Sequence, residues 1–287
     1  GPGSVRANNP LGYEDGNVLT GGRRFDTVES VTGATSWPTT RFPTITAVGG
    51  IGAMMWTFGG HDPRKTYRAE HNVFPATVQP QWLPFIAAAV DAGLVVGLCA
   101  RPAEVLYDRS AVYSTDNVTR TDPSFRGIQS ALYLDSKDPA HIKICTDRFR
   151  ASHADGVRMY YLDSFGLRGS DLPFLKAIRA VVGFSVPMWC EFGYDLMYSD
   201  AGRWIEVNNS VAAENKHGFS ITATQLATLQ WAYPNVEFLS HSPNGSSTLV
   251  ERLDMGFGVI IHDFDLIDQA DKINTWRFNN PGNWIPA

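Results

Sequence analysis

The sequence predicts an α/β protein built as a (β/α)8 barrel with an irregular N-terminal segment. Three observations lead there. Apolar runs of strand length recur from about residue 51 onward, amphipathic stretches of helical length separate most of them, and the strands reach eight when one is allowed in the N-terminal segment. An open doubly wound sheet is the alternative plan, but the GxGxxG turn that accompanies it is absent. "GGIGAMMWTFGG" precedes a strand instead of joining a strand to a helix, which makes it a weak phosphate signal.

Residues 1–4, "GPGS", read as a scar of tag removal, and the chain then starts without a signal peptide or membrane span, which suggests a segment cut from a longer protein. Residues 5–50 are rich in Gly, Asn, Thr and Pro; a loop-rich segment contributing to the barrel is expected there, with a short strand at "FDTVESV" (25–31). Residues 51–287 are expected to form the catalytic-type barrel. Its strands are expected at 53–59, 94–100, 157–163, 186–192, 204–208, 236–242 and 258–264. Helices are expected over 80–93, 138–156 and 171–183. Each starts at or near an Asp or Pro and stops at a Gly, whose left-handed backbone ends a helix without strain. Residues 101–137 break the rhythm. Connections beyond roughly 12–15 residues are usually functional or disordered, and this one carries Tyr107, Tyr113 and Phe125, so an ordered loop over the site is expected.

With 44% hydrophobic and 18% charged residues among 287, the chain has the makings of one large globular core. The net charge of -5 is spread without a basic stripe, so the footprint of a nucleic-acid or anionic-membrane partner is missing, and a neutral, polar ligand fits better. Cys99, Cys145 and Cys190 show no CxxC or Cys/His spacing, so buried thiols are expected instead of a disulfide framework or a zinc site. The sequons "NVT", "NNS" and "NGS" matter only in a glycosylating, secretory setting.

In a barrel of this kind the active site lies where the strands run out, at the C-terminal mouth. Two acids stand out there: Asp163 ends "MYYLD" and Glu191 ends "MWCE". Two carboxylates facing one cavity suit glycoside hydrolysis, one attacking or stabilising an oxocarbenium-like centre and the other protonating the leaving oxygen. Trp56, Asp62, Arg101, Tyr194, His262 and Asp263 are the expected sugar-binding residues around them. Trp82, Tyr107, Phe165, Trp189 and Trp204 offer further flat faces, each of which could equally fill the core. Glu206, Asp200 and Asp195 are fallbacks for the acid/base.

Two other chemistries fit less well. A metal-dependent hydrolase would draw on His61, His241, His262 and Asp263, but neither HxH nor HExxH spacing is present, so no metal and no cofactor is expected. Ser164 in "LDSFG" is not a nucleophile elbow. A different class of reading is a non-catalytic carbohydrate-binding or structural barrel within a larger surface or virion protein, since fold does not dictate activity.

The order of motifs adds a resemblance. "FPATVQPQWLPFIAAAVDAGLVVGLCARP", a long loop, and then "LYLDSKDPAHIKICTDRFRASHADGVRMYYLDSFG" resemble the barrel core of the retaining α-galactosidases and related α-glycosidases over roughly residues 51–166. Those enzymes carry an "FP" before a helix, an "AGLKFGLW-x-x-P" strand, an "LDxxNP" helix start and a strand ending in the nucleophilic aspartate. The resemblance implies that the "YLD" strand is the fourth of the barrel and that Asp163 matches the nucleophile. It also implies an acid/base from a following strand, and Glu191 fits the plan that draws it from the fifth. Tyr161 holds the position of the family's lysine, and Arg101 stands where an acid often sits. The implied partner is an α-linked carbohydrate, along with other domains of a longer parent chain, in an extracellular or cell-surface setting.

Overall fold

The structure is a computed structural model and describes residues 11–14, 39, 42–47, 50, 52–55, 79–106, 118–122, 131–163, 165–166, 168–206, 221–234, 238–242 and 247–280. It is a mixed α/β protein organised on a parallel sheet. The sheet strands are β1 (Leu11–Glu14), β2 (Gly52–Met55), β3 (Val95–Ala100), β7 (Met159–Leu162), β8 (Met188–Cys190), β9 (Gly202–Glu206), β10 (Phe238–Ser242) and β11 (Gly258–His262). They pair in the order β1-β11-β10-β9-β8-β7-β3-β2. β1 is parallel to β11 on one side, with Leu11 opposite Ile260, and to β2 on the other, with Gly12 opposite Ala53, so the ladder returns to its start.

Each strand after the first lies where an apolar run was expected, trimmed or shifted by a few residues. The N-terminal strand differs: it is "LGYE" at 11–14, whereas "FDTVESV" lies outside the described residues. Gly12 lowers strand propensity, and no alternation extends beyond four residues, so local pattern does not single this segment out. Its pairing with two partners defines it.

The helices are α1 (Phe42–Ala47), α2 (Gln79–Asp91), α3 (Pro139–Asp155), α4 (Asp171–Val182), α5 (Ala223–Ala232), α6 (Ser247–Met255) and α7 (Asp263–Asn279). Between β8 and β9 stands a single 3₁₀ turn, Asp195–Met197, in place of a helix. α3 starts and stops as its sequence predicts. The Asp138 carboxylate accepts the Ala140 N–H at 2.8 Å, Pro139 opens the helix, and Gly156 ends it at φ 109°. α4 departs from that design. Its N-cap is Ser170, which makes no side-chain cap bond, and Asp171 is turned to another use described below.

The core lies between the sheet and the surrounding helices. Val96, Leu98 and Ala100 of β3, Tyr160 and Leu162 of β7, and Met188 and Cys190 of β8 pack there with Trp82, Phe85, Phe149, Phe174 and Ile178 from the helices. Cys145 and Cys190 are buried thiols in the same cluster. The long 101–137 connection holds a second, three-stranded antiparallel sheet in the order β4-β6-β5, made of β4 (Glu104–Leu106), β5 (Val118–Asp122) and β6 (Ala131–Leu134). Tyr107, Tyr113 and Phe125 of that connection lie outside the described residues. Among the described residues no helix is long and apolar enough to cross a membrane.

Candidate active site

Side chains along a strand alternate between its two faces. In β3, Val96, Leu98 and Ala100 face the helices, so Arg101, next in the chain, follows the parity of the opposite, interior face. In β7, Tyr160 and Leu162 face the helices; Met159, Tyr161 and then Asp163 share the interior parity. In β8, Met188 and Cys190 face outward, which assigns Trp189 and Glu191 to the interior. Register aligns these three strand ends. Ala100 is opposite Leu162, and Leu162 is opposite Cys190. The next residues, Arg101, Asp163 and Glu191, therefore form one row across three adjacent strands at their C-terminal ends. Backbone bonds carry the row: Asp163 N–H donates to Ala100 O at 2.9 Å and Glu191 N–H to Leu162 O at 3.0 Å.

Within the row, Arg101 Nε donates to Asp163 Oδ2 at 2.5 Å, with side-chain exposures of 16% and 9%. Arg101, one of the expected sugar-binding residues, is thus paired with Asp163, the expected nucleophile. The pairing spans 62 residues of chain and follows from the register of β3 on β7. Asp163 and Glu191 are each 7% exposed as whole residues.

The loop after β7 is pinned from two directions. Asp171 Oδ2, at the start of α4, accepts the N–H groups of Gly166 at 2.9 Å and Arg168 at 3.1 Å, which takes a buried carboxylate out of helix capping and into loop support. Phe192 N–H, just after Glu191, donates to Phe165 O at 3.0 Å. The loops that follow Asp163 and Glu191 are thus bonded to each other. Gly166 is required where they meet. Its φ is +96°, and a Cβ there would come within 2.3 Å of Phe192 O. Gly166, three residues after the aspartate, therefore lets one strand end sit beside the next.

The other expected site residues fall in several places. Tyr194 is half-buried between Glu191 and the 3₁₀ turn and packs against the core cluster; burial raises its phenol above the usual range, with Asp171, Asp195 and Cys190 adding to the effect. Trp82 and Phe165, which could offer stacking faces or fill the core, are fully buried members of the core cluster. Both serve packing. Trp189 is fully buried on the interior side of β8. His262 ends β11 and Asp263 opens α7, so their backbones stand at a strand terminus of the mouth; their side chains, like those of Trp204, Glu206 and His241, lie outside the described residues. Trp56, His61, Asp62 and Ser164 also lie outside them.

Two fallback acids belong elsewhere. Asp195 is exposed and accepts the Leu196 N–H at 3.0 Å. Asp200 precedes β9, at the end of the sheet opposite the mouth, where Ser199 Oγ donates to its carboxylate at 2.7 Å. Sequence reasoning missed its neighbour Arg179. From α4 this buried guanidinium donates to the carbonyls of Asp200, Gly183 and Val186, tying together the starts of β8 and β9. Burial lowers its pKa to about 10, opposed by Asp200 and Cys190. An arginine in the last turn of a helix before a strand gave no signal in sequence beyond its amphipathic position.

The fold and this row of residues define the class: an α/β scaffold on a parallel sheet with a pair of carboxylates at adjacent strand ends. No protein-family model matches the chain, and no curated protein matches it. Solved structures of α-glycosidases do share its fold. The isomalto-dextranase of Arthrobacter globiformis T6, complexed with panose, superposes with a TM-score of 0.65 at 10% identity, covering 96% of this chain and 55% of that one. The noncanonic maltogenic α-amylase AmyB from Thermotoga neapolitana gives 0.64 at 12% identity, covering 95% of this chain and 77% of that one. The GH36 α-galactosidase AgaA from Geobacillus stearothermophilus gives 0.58 at 11% identity, covering 94% and 42%. The distant resemblance to α-glycosidases carried by residues 51–166 is thereby shown at the level of fold. The chain spans about half the length of the first of these proteins.

Proposed function

We propose that the chain is a (β/α)8-barrel glycoside hydrolase acting on an α-linked oligo- or polysaccharide, with Asp163 as nucleophile or charge stabiliser and Glu191 as general acid/base. The observation that carries this is the single row Arg101, Asp163, Glu191 at the C-terminal ends of adjacent strands. Neighbouring strands stand about 4.8 Å apart, which suits the about 5–5.5 Å separation of a retaining carboxylate pair better than the about 6.5–9.5 Å of an inverting one. The two acids also have different surroundings. A guanidinium holds and orients Asp163, as an attacking or stabilising carboxylate requires, while Glu191 stands one strand further from that charge.

In the first step Glu191 donates its proton to the glycosidic oxygen as the bond to the anomeric carbon breaks, and an Asp163 oxygen closes on that carbon. In the second, Glu191 takes a proton from water, which displaces Asp163. Tyr194, with Trp56, Asp62, His262 and Asp263, is assigned to binding the sugar; Glu206, at the end of β9, is the alternative acid. Residues 5–50 and 51–287 together make one barrel domain.

The second reading is a non-catalytic carbohydrate-binding barrel. The Arg101 contact favours it, because it occupies one oxygen of the carboxylate that would attack. Turnover of a glycan panel separates the two. Asp163→Asn should abolish it with the fold retained, as circular dichroism reports. Glu191→Gln should lose it on natural glycosides yet keep the first step on aryl glycosides, whose phenolate leaves without a proton. Full activity of Asp163→Asn sinks the mechanism; loss in Glu206→Gln with none in Glu191→Gln reassigns the acid.

A further inference from the structure

We infer that Asp171 is a positioning residue for the acid pair: through the Phe165–Gly166 peptide, its carboxylate fixes how Glu191 stands relative to Asp163. The inference rests on the glycosidase reading of the mouth and adds the group that holds its two acids in place. The pairing of β7 with β8 reaches the acids where Glu191 N–H donates to Leu162 O. One more rung follows, in which Phe192 N–H donates to Phe165 O at 3.0 Å. That carbonyl and the Gly166 N–H belong to the same peptide unit, and Asp171 Oδ2 accepts this N–H at 2.9 Å. A single planar group is thus gripped at both ends. A carboxylate holds one end, and the residue after Glu191 holds the other.

Asp171 is 1% exposed, and a carboxylate is tolerated at that depth when hydrogen bonds compensate its lost hydration. Oδ2 also accepts the Arg168 N–H at 3.1 Å, and the Asp171 N–H closes the loop onto Arg168 O at 2.9 Å. The first turn of α4 adds its favourable dipole. Bonds to an ionised acceptor are about twice as strong as neutral ones. Negative charge at the N–H end of a peptide also makes its carbonyl a better acceptor, so Asp171 strengthens the Phe165–Phe192 rung. Packing leaves that rung little freedom, since a Cβ on Gly166 would meet Phe192 O at 2.3 Å. The charge reaches the Glu191 side of the rung as well: after burial, Asp171 is the next cause of the raised Tyr194 phenol. A carboxylate that served only the start of α4 would leave the placement of the acids untouched, and kinetics separate the two roles.

The test compares Asp171→Ala and Asp171→Asn with wild type in the full chain. Amide exchange at Phe192 is followed by NMR, and kcat and KM are measured on the member of the glycan panel that wild type cleaves fastest. In Asp171→Ala, Phe192 should exchange about tenfold faster or more. Its kcat should fall by about 10–100-fold while KM stays within about threefold, because the acids are displaced by a fraction of an ångström to an ångström and sugar contacts are kept. Asp171→Asn keeps an oxygen acceptor without the charge, so both of its losses should be smaller. Should Asp171→Ala not fold, Asp171→Asn decides by the same signs: faster Phe192 exchange and a lower kcat at steady KM. Unchanged Phe192 exchange overturns the inference, and so does faster exchange with an unchanged kcat, or a loss carried by KM. A wild type that cleaves no member of the panel fails the glycosidase reading and takes the positioning role with it, whereas accelerated Phe192 exchange in the variants still shows the clamp.

Discussion

Arg101→Met removes the guanidinium beside Asp163 while keeping most of the side chain's length. The contact is 2.5 Å between side chains that are 16% and 9% exposed, so it lies between two limits. A surface pair would contribute about 0–1 kcal/mol, whereas breaking a fully buried pair costs about 3–5 kcal/mol. A charge-assisted hydrogen bond contributes about 1.5–3 kcal/mol, and with water reaching one edge of the pair the expected loss is about 2–3 kcal/mol. Part of that loss is the uncompensated carboxylate, so the pairwise energy is smaller, about 1.5–2 kcal/mol in a double-mutant cycle with Asp163→Asn. The assay is urea unfolding of the four proteins, read by circular dichroism, with comparable slopes required before energies are compared. Turnover of Arg101→Met should also fall, by as much as about 100-fold if the carboxylate shifts by an ångström. A coupling energy below about 0.5 kcal/mol would mean that the pair acts as a solvated surface contact. The argument that Arg101 orients Asp163 would then fail.

Gly166→Ala should destabilise the protein by about 2 kcal/mol or more, since it adds left-handed backbone strain to a clash. Its φ is +96° and the new Cβ meets Phe192 O at 2.3 Å, whereas Gly169→Ala, with nothing within 4 Å, should stay within the small range of surface changes. Thermal melting of both variants checks this, and equal melting temperatures would refute the proposed meeting of the two loops. A pH dependence follows from Tyr160, which is buried at 0% exposure and whose phenol burial raises well above its usual value; Asp155 adds to the rise, while the Ser152 hydrogen bond and Arg158 oppose it. The unfolded chain releases this proton above about pH 10 while the folded one keeps it, so stability is intact below that pH and falls above it by about 1.4 kcal/mol per unit from this group. In Tyr160→Phe the alkaline decline should be shallower; an identical decline in both proteins would show that Tyr160 ionises as freely folded as unfolded.

Local chemistry made much of the scaffold legible. The apolar runs "LVVGLCA", "VRMYYLD" and "VPMWCEF" contain β3, β7 and β8, and the Asp-Pro start and Gly stop of α3 work as their side chains and backbone require. These features depend on neighbours a few residues away, so a single chain displays them. β1 went unnoticed for the opposite reason. Four residues with a glycine among them carry no periodicity, and only the two strands at their sides make them a strand.

The site divides along the same line. That Asp163 and Glu191 end apolar strands was determined by the sequence alone, because a strand's end is marked by its own residues. Which groups meet there was decided only by the tertiary structure. The register of β3, β7 and β8 aligned Arg101 with Asp163 across 62 residues. Strand direction sent Asp200 to the far end of the sheet, and strand parity turned Trp189 inward and Cys190 outward. Register, direction and parity are relations between strands, set by packing over long chain separations, and no local pattern encodes them.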